Sequence, residues 1–337
     1  MRINLSSKLK LGLLIGIITI ASFGVFLGVY LYQLSSTPSI RIGALSGDLH
    51  HLPLFVALEN NYFQDEGIDI SMKDIYWFSD GNKVMTAFES GKLDMAYLGL
   101  APAMAHKLTL NASIQVVSGV NVNGSAIMVR NDSGINSISG LSSKNIAVPS
   151  LNNMQDFILQ IALNNSGIDL LDVDRTTLSV GNMENALNGG SIDAFVAWEP
   201  YNAKAVNSGA KYLAKSSEIW PNHPCCILAA SNNFIEKNYE EVNKTVKIHK
   251  RALEWMANIS NHDTLINIAK KYTGISSTTI IENALDNVGY IYNFTLYQTE
   301  IETFYNKLTS LNNSINNWTA GYVDFYQKFF NTSFINA

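Results

Sequence analysis

Met85-Thr86-Ala87-Phe88-Glu89-Ser90-Gly91-Lys92-Leu93-Asp94-Met95 and Glu184-Asn185-Ala186-Leu187-Asn188-Gly189-Gly190-Ser191-Ile192-Asp193-Ala194 are one pattern written twice. Gly91, Leu93 and Asp94 correspond to Gly190, Ile192 and Asp193, and the offset of about 100 residues recurs upstream. There Gly67-Ile68-Asp69 answers Gly167-Ile168-Asp169, and the apolar run around Ile42 answers the one around Ile146. The pattern reads as an internal duplication. Two α/β lobes built from one unit leave a cleft between them, and clefts at the carboxyl ends of strands are where such sheets bind small molecules.

Outward from the first copy, Ile40 to Leu45 reads as a strand, Leu54 to Phe63 as a helix stopped by Gly67, and Ile68 to Met72 as a second strand. Asn82 to Ser90 follows as a helix with Gly91 at its end, then Leu93 to Leu98 as the third strand. The second copy keeps this order: strand Lys144 to Pro149, helix Gln155 to Leu163, stop at Gly167, strand Thr177 to Val180, helix Met183 to Leu187, strand Ile192 to Ala197. Right-handed crossovers of this kind predict mostly parallel sheets. Ile114 to Val120 and Ala126 to Arg130 read as strands carrying the chain between lobes, with a hinge at Asn121 to Gly124 and a second crossing near Trp220. From Ile227 on the pattern is helical, at Tyr239 to Ala257, Asp263 to Tyr272, Thr278 to Tyr292, Tyr297 to Leu308 and Tyr322 to Phe330, helices expected to pad lobe one. The expected division is therefore lobe 1 at 40–123, lobe 2 at 124–218, and a return to lobe 1 with C-terminal helices at 219–337.

A chain of 337 residues can give each lobe its own core. Its net charge of -5, with no compensating run of Lys and Arg, argues against nucleic acid as a partner. The two cysteines, Cys225 and Cys226, are adjacent, which is poor geometry for a mutual bridge and leaves no disulfide framework. Residues 11–34 carry no charged side chain and are long enough to cross a bilayer as a helix. Arg2, Lys8 and Lys10 precede them, so residues 1–10 are expected in the cytoplasm, 11–34 in the membrane as a single-pass anchor, 35–39 as a linker, and the lobes outside the cell. The apolar run exceeds the core of a cleaved signal peptide, and no Cys follows it for lipid attachment. Asn-x-Ser/Thr recurs about ten times downstream, at Asn111, Asn123, Asn243, Asn293 and Asn331 among others, which fits either an extracellular glycoprotein or simple Asn richness.

A strand that runs through a loop into a helix presents free backbone N–H groups, which receive carboxylate, sulfonate or nitrate oxygens without an arginine. Four loops hold that position: Gly47 to Pro53 with His50 and His51, Leu98 to Pro102 with Gly99, Ser150 to Asp156 with Asn153 and Gln155, and Ala197 to Tyr201 with Trp198 and Glu199. Asn123 in the hinge and His223 at the second crossing complete the candidate ligand contacts. Trp198 is read as a cleft wall and His223 as a hydrogen-bond donor to the solute, whereas Gln155 either caps its helix or faces the cleft. Asp94 and Asp193 start buried strands and read as turn caps. His223, Cys225 and Cys226 lie close together, and with His50 or His51 they have the chemistry of a Zn or Cu site. No Cys-x-x-Cys or His-x-x-x-His spacing supports one, so no metal and no cofactor is expected and the cysteines read as small packing residues.

This constellation resembles the extracytoplasmic solute-binding proteins of ABC transporters, in the nitrate, sulfonate and taurine family that also includes proteins similar to pyrimidine-precursor binders. The resemblance covers roughly residues 40–230. Its carriers are Tyr62-Phe63-Gln64-Asp65-Glu66-Gly67-Ile68, the Ser90-Gly91-Lys92-Leu93-Asp94 turn, Gln155-Asp156 opening a helix, and Asp193-Ala194-Phe195-Val196-Ala197-Trp198-Glu199-Pro200-Tyr201. It implies an α/β, two-lobed fold of the type II periplasmic-binding-protein kind that closes on its solute and docks on a membrane permease. The absence of an obvious paired arginine clamp favours a small mono-anion, a zwitterion or a planar heterocycle over a large di-anion. The rival reading is an enzyme of the same fold acting on a pyrimidine or vitamin precursor. It needs a nucleophile within reach of a base, and His223 with Cys225 is the pair that stands out.

Overall fold

The repeated aspartates do the same work in both copies. Asp94 accepts from the backbone N–H of Arg41 at 2.9 Å and from its guanidinium at 2.6 Å, and returns its own N–H to the Arg41 carbonyl at 3.0 Å. Asp193 accepts from the backbone N–H of Asn145 at 3.0 Å and returns its N–H to the Asn145 carbonyl at 2.9 Å. Each carboxylate thus clamps the first strand of its unit to the third, setting Ile42 opposite Met95 and Ile146 opposite Ala194 in parallel register.

A computed structural model describes residues 40–311 and 318–335. The expected cytoplasmic segment, anchor and linker at 1–39 lie outside the described residues. Among the described residues no helix is long and apolar enough to cross a membrane. Strands β1 (Ile42–Leu45), β2 (Tyr76–Phe78), β3 (Met95–Gly99), β4 (Ile114–Asn123), β10 (Pro224–Ser231) and β11 (Val288–Tyr290) form a six-stranded sheet in the order β11-β4-β10-β3-β1-β2. Strands β5 (Ser125–Arg130), β6 (Asn145–Val148), β7 (Asp174–Thr177), β8 (Ala194–Trp198) and β9 (Ala210–Lys215) form a five-stranded sheet in the order β7-β6-β8-β5-β9.

Both sheets are mixed rather than mostly parallel. The duplicated strands pair in parallel, but β10 joins β3 and β5 joins β8 antiparallel, and β4 and β9 pair antiparallel with β10 and β5 in turn. β10 and β5, each entering its sheet straight after a crossing, therefore run against the repeat, whereas β4 and β9, which lead into the crossings, run with it. The chain leaves the first sheet at Asn123 and enters the second at Ser125, with Gly124 between them at φ 88. It returns between Lys215 and Pro224.

Two expected strands are displaced toward the edge. Ile68 and Ile70 are buried, but the backbone there joins no ladder, and β2 begins only after a helical turn at Met72–Asp74 held by Asp74 accepting from Ser71. In the second copy β7 likewise follows a turn at Leu170–Asp172 and starts at Asp174 rather than Thr177. The helix expected to reach Tyr292 stops at Leu285, and Val288–Tyr290 becomes β11, pairing with Asn121–Asn123.

The C-terminal helices do not pad the first sheet alone. Phe304, on the helix Gln298–Leu311, packs at 4.5 Å against Phe157 of the helix Met154–Asn165 and meets Trp220 at 5.6 Å. A continuous apolar cluster runs from Leu52 and Tyr97 to Phe157 and Trp198, and a smaller one gathers Ile127, Ile146, Leu159 and Val196. Each buried side chain of this size contributes about 1.5–3 kcal/mol. The recurring Asn-x-Ser/Thr pattern has a local use as well: Asn293 and Asn331 accept from the backbone N–H and the hydroxyl two residues on, closing Asx turns that start short helical segments.

Candidate ligand cavity

The four strand-to-helix loops meet at one small cavity of about 20 Å³. Leu45 comes from the end of β1, Asp48 and His50 from the first loop, Gly99 and Pro102 from the second, Asn153, Met154 and Gln155 from the third, and Trp198 from the fourth. Gly81, at the start of the helix Gly81–Glu89, adds another helix N-terminus, and Cys225 and Cys226 line the wall from β10. No Lys or Arg is among the lining residues, so its positive potential comes from helix N-termini and His50, set against Asp48 and Cys225 on the same wall.

Of the candidate contacts, His50, Gly99, Asn153, Gln155 and Trp198 line the cavity, and His51, Asn123, Glu199 and His223 do not. His51 turns inward, where its Nδ1 accepts from the Leu45 N–H at 3.1 Å and its ring lies 5.7 Å from Tyr97. Complete burial lowers its pKa to about 3. Asn123 takes a left-handed conformation and donates its backbone N–H to His223 O at 3.1 Å, tying one crossing to the other. Glu199 accepts from Ala203 N–H at 3.0 Å, Tyr212 OH at 3.1 Å and Asn287 Nδ2 at 2.8 Å, while burial pushes its carboxyl up to about 7. His223 donates Nδ1 to the Trp220 carbonyl at 2.9 Å and stacks on that indole rather than facing the cavity.

The lining residues that do match are held by their own neighbours. Asn153 caps its helix by accepting from Asp156 N–H at 2.9 Å. Gln155 donates to Ser125 Oγ at 3.0 Å, tying the third loop to the strand just past the hinge. Trp198 packs edge-on against Tyr201, and its buried indole N–H has no partner. An unpaired buried donor on a cavity wall costs about 1–3 kcal/mol until something accepts from it.

Asp48 is the cavity-lining carboxylate that motif reading passed over. Its Oδ1 accepts from His50 N–H at 2.9 Å and lies 3.5 Å from His50 Nδ1. Burial raises the Asp48 carboxyl to about 7. For His50 burial alone would lower the pKa, but the charges of Asp48 and Cys225 outweigh it and lift the ring to about 9. The detectable signal was an acidic residue shortly before two histidines at a strand end. The cysteines are also closer to the chemistry than their adjacency suggested. Against β4, Pro224 pairs with Val122 and Cys226 with Asn121, so Cys225 is an extra residue in β10. A bulge turns neighbouring side chains toward one side, and both thiols stand 3.7 Å from His50 Nδ1. Hydrogen bonding from Cys226 and the charge of His50 hold Cys225 well below the usual thiol range.

Residues 35–270 match the model of the NMT1-like family. The chain is 26% identical over 268 residues to the nitrate import ATP-binding protein NrtC of Synechococcus elongatus, covering 75% of this chain but only 40% of that one. It is 28% identical over 245 residues to a putative aliphatic sulfonates-binding protein of Bacillus subtilis, covering 70% of each. The periplasmic nitrate-binding protein NrtA of Synechocystis PCC 6803 has the same fold, with a TM-score of 0.76 over 89% of both chains at 13% identity. With its duplicated α/β unit, its two mixed sheets and a cavity at their strand ends, this chain has a periplasmic-binding-protein fold and belongs to the NMT1-like family.

Proposed function

We propose that this chain is the solute-binding component of an ABC import system, anchored through residues 11–34 and capturing a small anionic, zwitterionic or heterocyclic solute for delivery to a permease. One observation carries the reading. Four strand–loop–helix junctions, two from each copy of the duplication, converge on one cavity whose wall holds the unpartnered N–H of Trp198. Converging helix N-termini stabilise a small anion without a full positive charge, and a cavity of about 20 Å³ in this conformation has to open to admit one. Nitrate and sulfonate, named for the relatives, are mono-anions whose oxygens accept from such donors. Asn153 and Gln155 then discriminate among polar head groups, and the two halves close about Gly124 and the Lys215–Pro224 crossing.

Calorimetric titration of the purified chain with nitrate, methanesulfonate, taurine and a pyrimidine tests the reading, alongside native mass spectrometry of protein taken from its own cells. The expected result is saturable binding of one of these classes, weakened in Trp198→Phe. No co-purifying molecule and no heat with any class would overturn the proposal. The anchor is tested separately: recovery of native protein lacking its first 34 residues from the medium would remove it.

A further inference from the structure

We propose that Cys225, Cys226 and His50 form a three-ligand site for a thiophilic d10 metal ion, Zn²⁺ or Cu⁺, on the wall of the cavity. The donor atoms of all three lie within 4.8 Å of one another, and all three side chains are buried. Metal–sulfur bonds of about 2.3 Å and metal–nitrogen bonds of about 2.0–2.1 Å place S and N about 3.6 Å apart in a tetrahedral site and about 3.8 Å apart in a trigonal one. Both thiols stand 3.7 Å from His50 Nδ1. The gap is that of a ligand set needing almost no movement to close on an ion.

The orientation of His50 supports the same reading. Its Nε2 donates to the Gly124 carbonyl at 3.1 Å, which leaves Nδ1 as the nitrogen directed at the sulfurs. A metal-bound imidazole is characteristically fixed by a carbonyl or carboxylate on its other nitrogen. Asp48 Oδ1, 3.5 Å from the same Nδ1, is a fourth donor within reach. Two thiolates and an imidazole select soft ions over Mg²⁺ or Ca²⁺. Sequence spacing hid the site because the bulge at Cys225, not a Cys-x-x-Cys turn, brings the sulfurs together. The chemistry is ligand exchange only: the ion displaces two protons, one from the Cys225–His50 pair and one from the Cys226 thiol, and both leave to solvent through the cavity. It needs no solute, so it stands or falls independently of the import reading.

The full chain, reduced with a phosphine and freed of metal by dialysis against chelator, is titrated anaerobically with Co²⁺ as a stand-in for Zn²⁺ and with Cu⁺ held by a competing chromophoric chelator. The expected result is one equivalent bound, with thiolate-to-cobalt charge-transfer absorption for Co²⁺ or capture of Cu⁺ from the chelator, undiminished by excess Mg²⁺. Cys225→Ser, Cys226→Ser and His50→Gln should each weaken binding at least tenfold, their folding checked by circular dichroism. Where a variant fails to fold, wild type still decides the matter, since Zn²⁺ or Cu⁺ must slow alkylation of both thiols. Absence of charge-transfer absorption and of Cu⁺ capture, unaltered binding in a folded thiol variant, or alkylation unaffected by either ion would overturn the site.

Discussion

His50 Nε2 lies 3.1 Å from the carbonyl oxygen of Gly124, the residue at which the chain passes from one sheet to the other. The same carbonyl accepts the backbone N–H of Glu199 at 3.0 Å, and Glu199 O accepts from Leu49 N–H at 3.1 Å. One hinge peptide therefore joins the first loop of one copy to the last loop of the other, so the position of a cavity residue is coupled to the crossing about which the halves would move.

Gly124 is required here on two counts. Its φ of 88 is unfavourable for a residue with a side chain, and a Cβ would stand 2.1 Å from His50 Nε2. Gly124→Ala is expected to destabilise the fold by about 1–3 kcal/mol and to displace His50 from the wall. Thermal unfolding measures the first effect. A melting temperature equal to that of wild type would show that the ring and hinge are not locked together.

Trp198 separates packing from hydrogen bonding. Trp198→Phe keeps most of the ring and loses the N–H that has no protein partner, so solute affinity should fall by about 1.5–3 kcal/mol if the solute is charged. Trp198→Ala also opens the wall and should lower stability by about 3–5 kcal/mol. Calorimetry and melting on the pair distinguish these. Equal affinity for wild type and Trp198→Phe would assign the indole to packing alone.

The two halves also touch at the rim. Asn82, on the helix after β2, donates to Ser150 Oγ at 3.2 Å and to Leu151 O at 3.1 Å, both in the third loop of the other half. Such bonds bridge the two halves, and neutral ones contribute about 0.5–1.5 kcal/mol each. Asn82→Ala should therefore raise the solute dissociation rate several-fold while leaving the unliganded protein's melting temperature within about a degree. Stopped-flow release kinetics check this, and an unchanged rate would place the rim contacts outside the closing step.

The duplication, the two crossings and the four loops were legible because each leaves a local signature: glycine at a helix end, aspartate at a strand start, alternation in buried strands. Strands β2 and β7 were not, since edge strands bury little and Asp174, Thr176 and Thr177 are exposed. β11 was hidden inside a helical pattern and is defined by pairing with Asn121–Asn123, a contact across more than half the sheet-forming chain. The site was half legible for a related reason. His50, Asn153, Gln155 and Trp198 sit where strand ends point, whereas His51, Glu199 and His223 face inward to bonds with Leu45, Asn287 and Trp220 that only the tertiary fold supplies. The bulge that turns Cys225 and Cys226 to one side leaves no trace in spacing.

His249 offers a pH test of the core. It is fully buried, donates Nε2 to Gly119 O at 2.9 Å, and its Nδ1 accepts from Tyr97 OH at 3.2 Å, so the ring is held neutral. Burial lowers its pKa from 6.5 to about 4. Because the folded value lies below the unfolded one, the unfolded chain takes up the proton first. The stabilisation is complete above pH 6.5 and is lost as pH falls toward 4, a loss of about 3 kcal/mol in all, since each pH unit between the two values is worth about 1.4 kcal/mol. His249→Gln removes this titration but leaves those of Asp48, His51 and Glu199 in place, so the difference between the two proteins isolates it. At pH 7 the variant should be the less stable, having lost hydrogen bonds made by the ring, and the gap should narrow steadily on acidification to pH 4. Urea unfolding of both proteins across that range measures it. A gap that stays constant would mean that His249 does not titrate differently in the folded and unfolded chains, and that its burial does not set the acid limit of this fold.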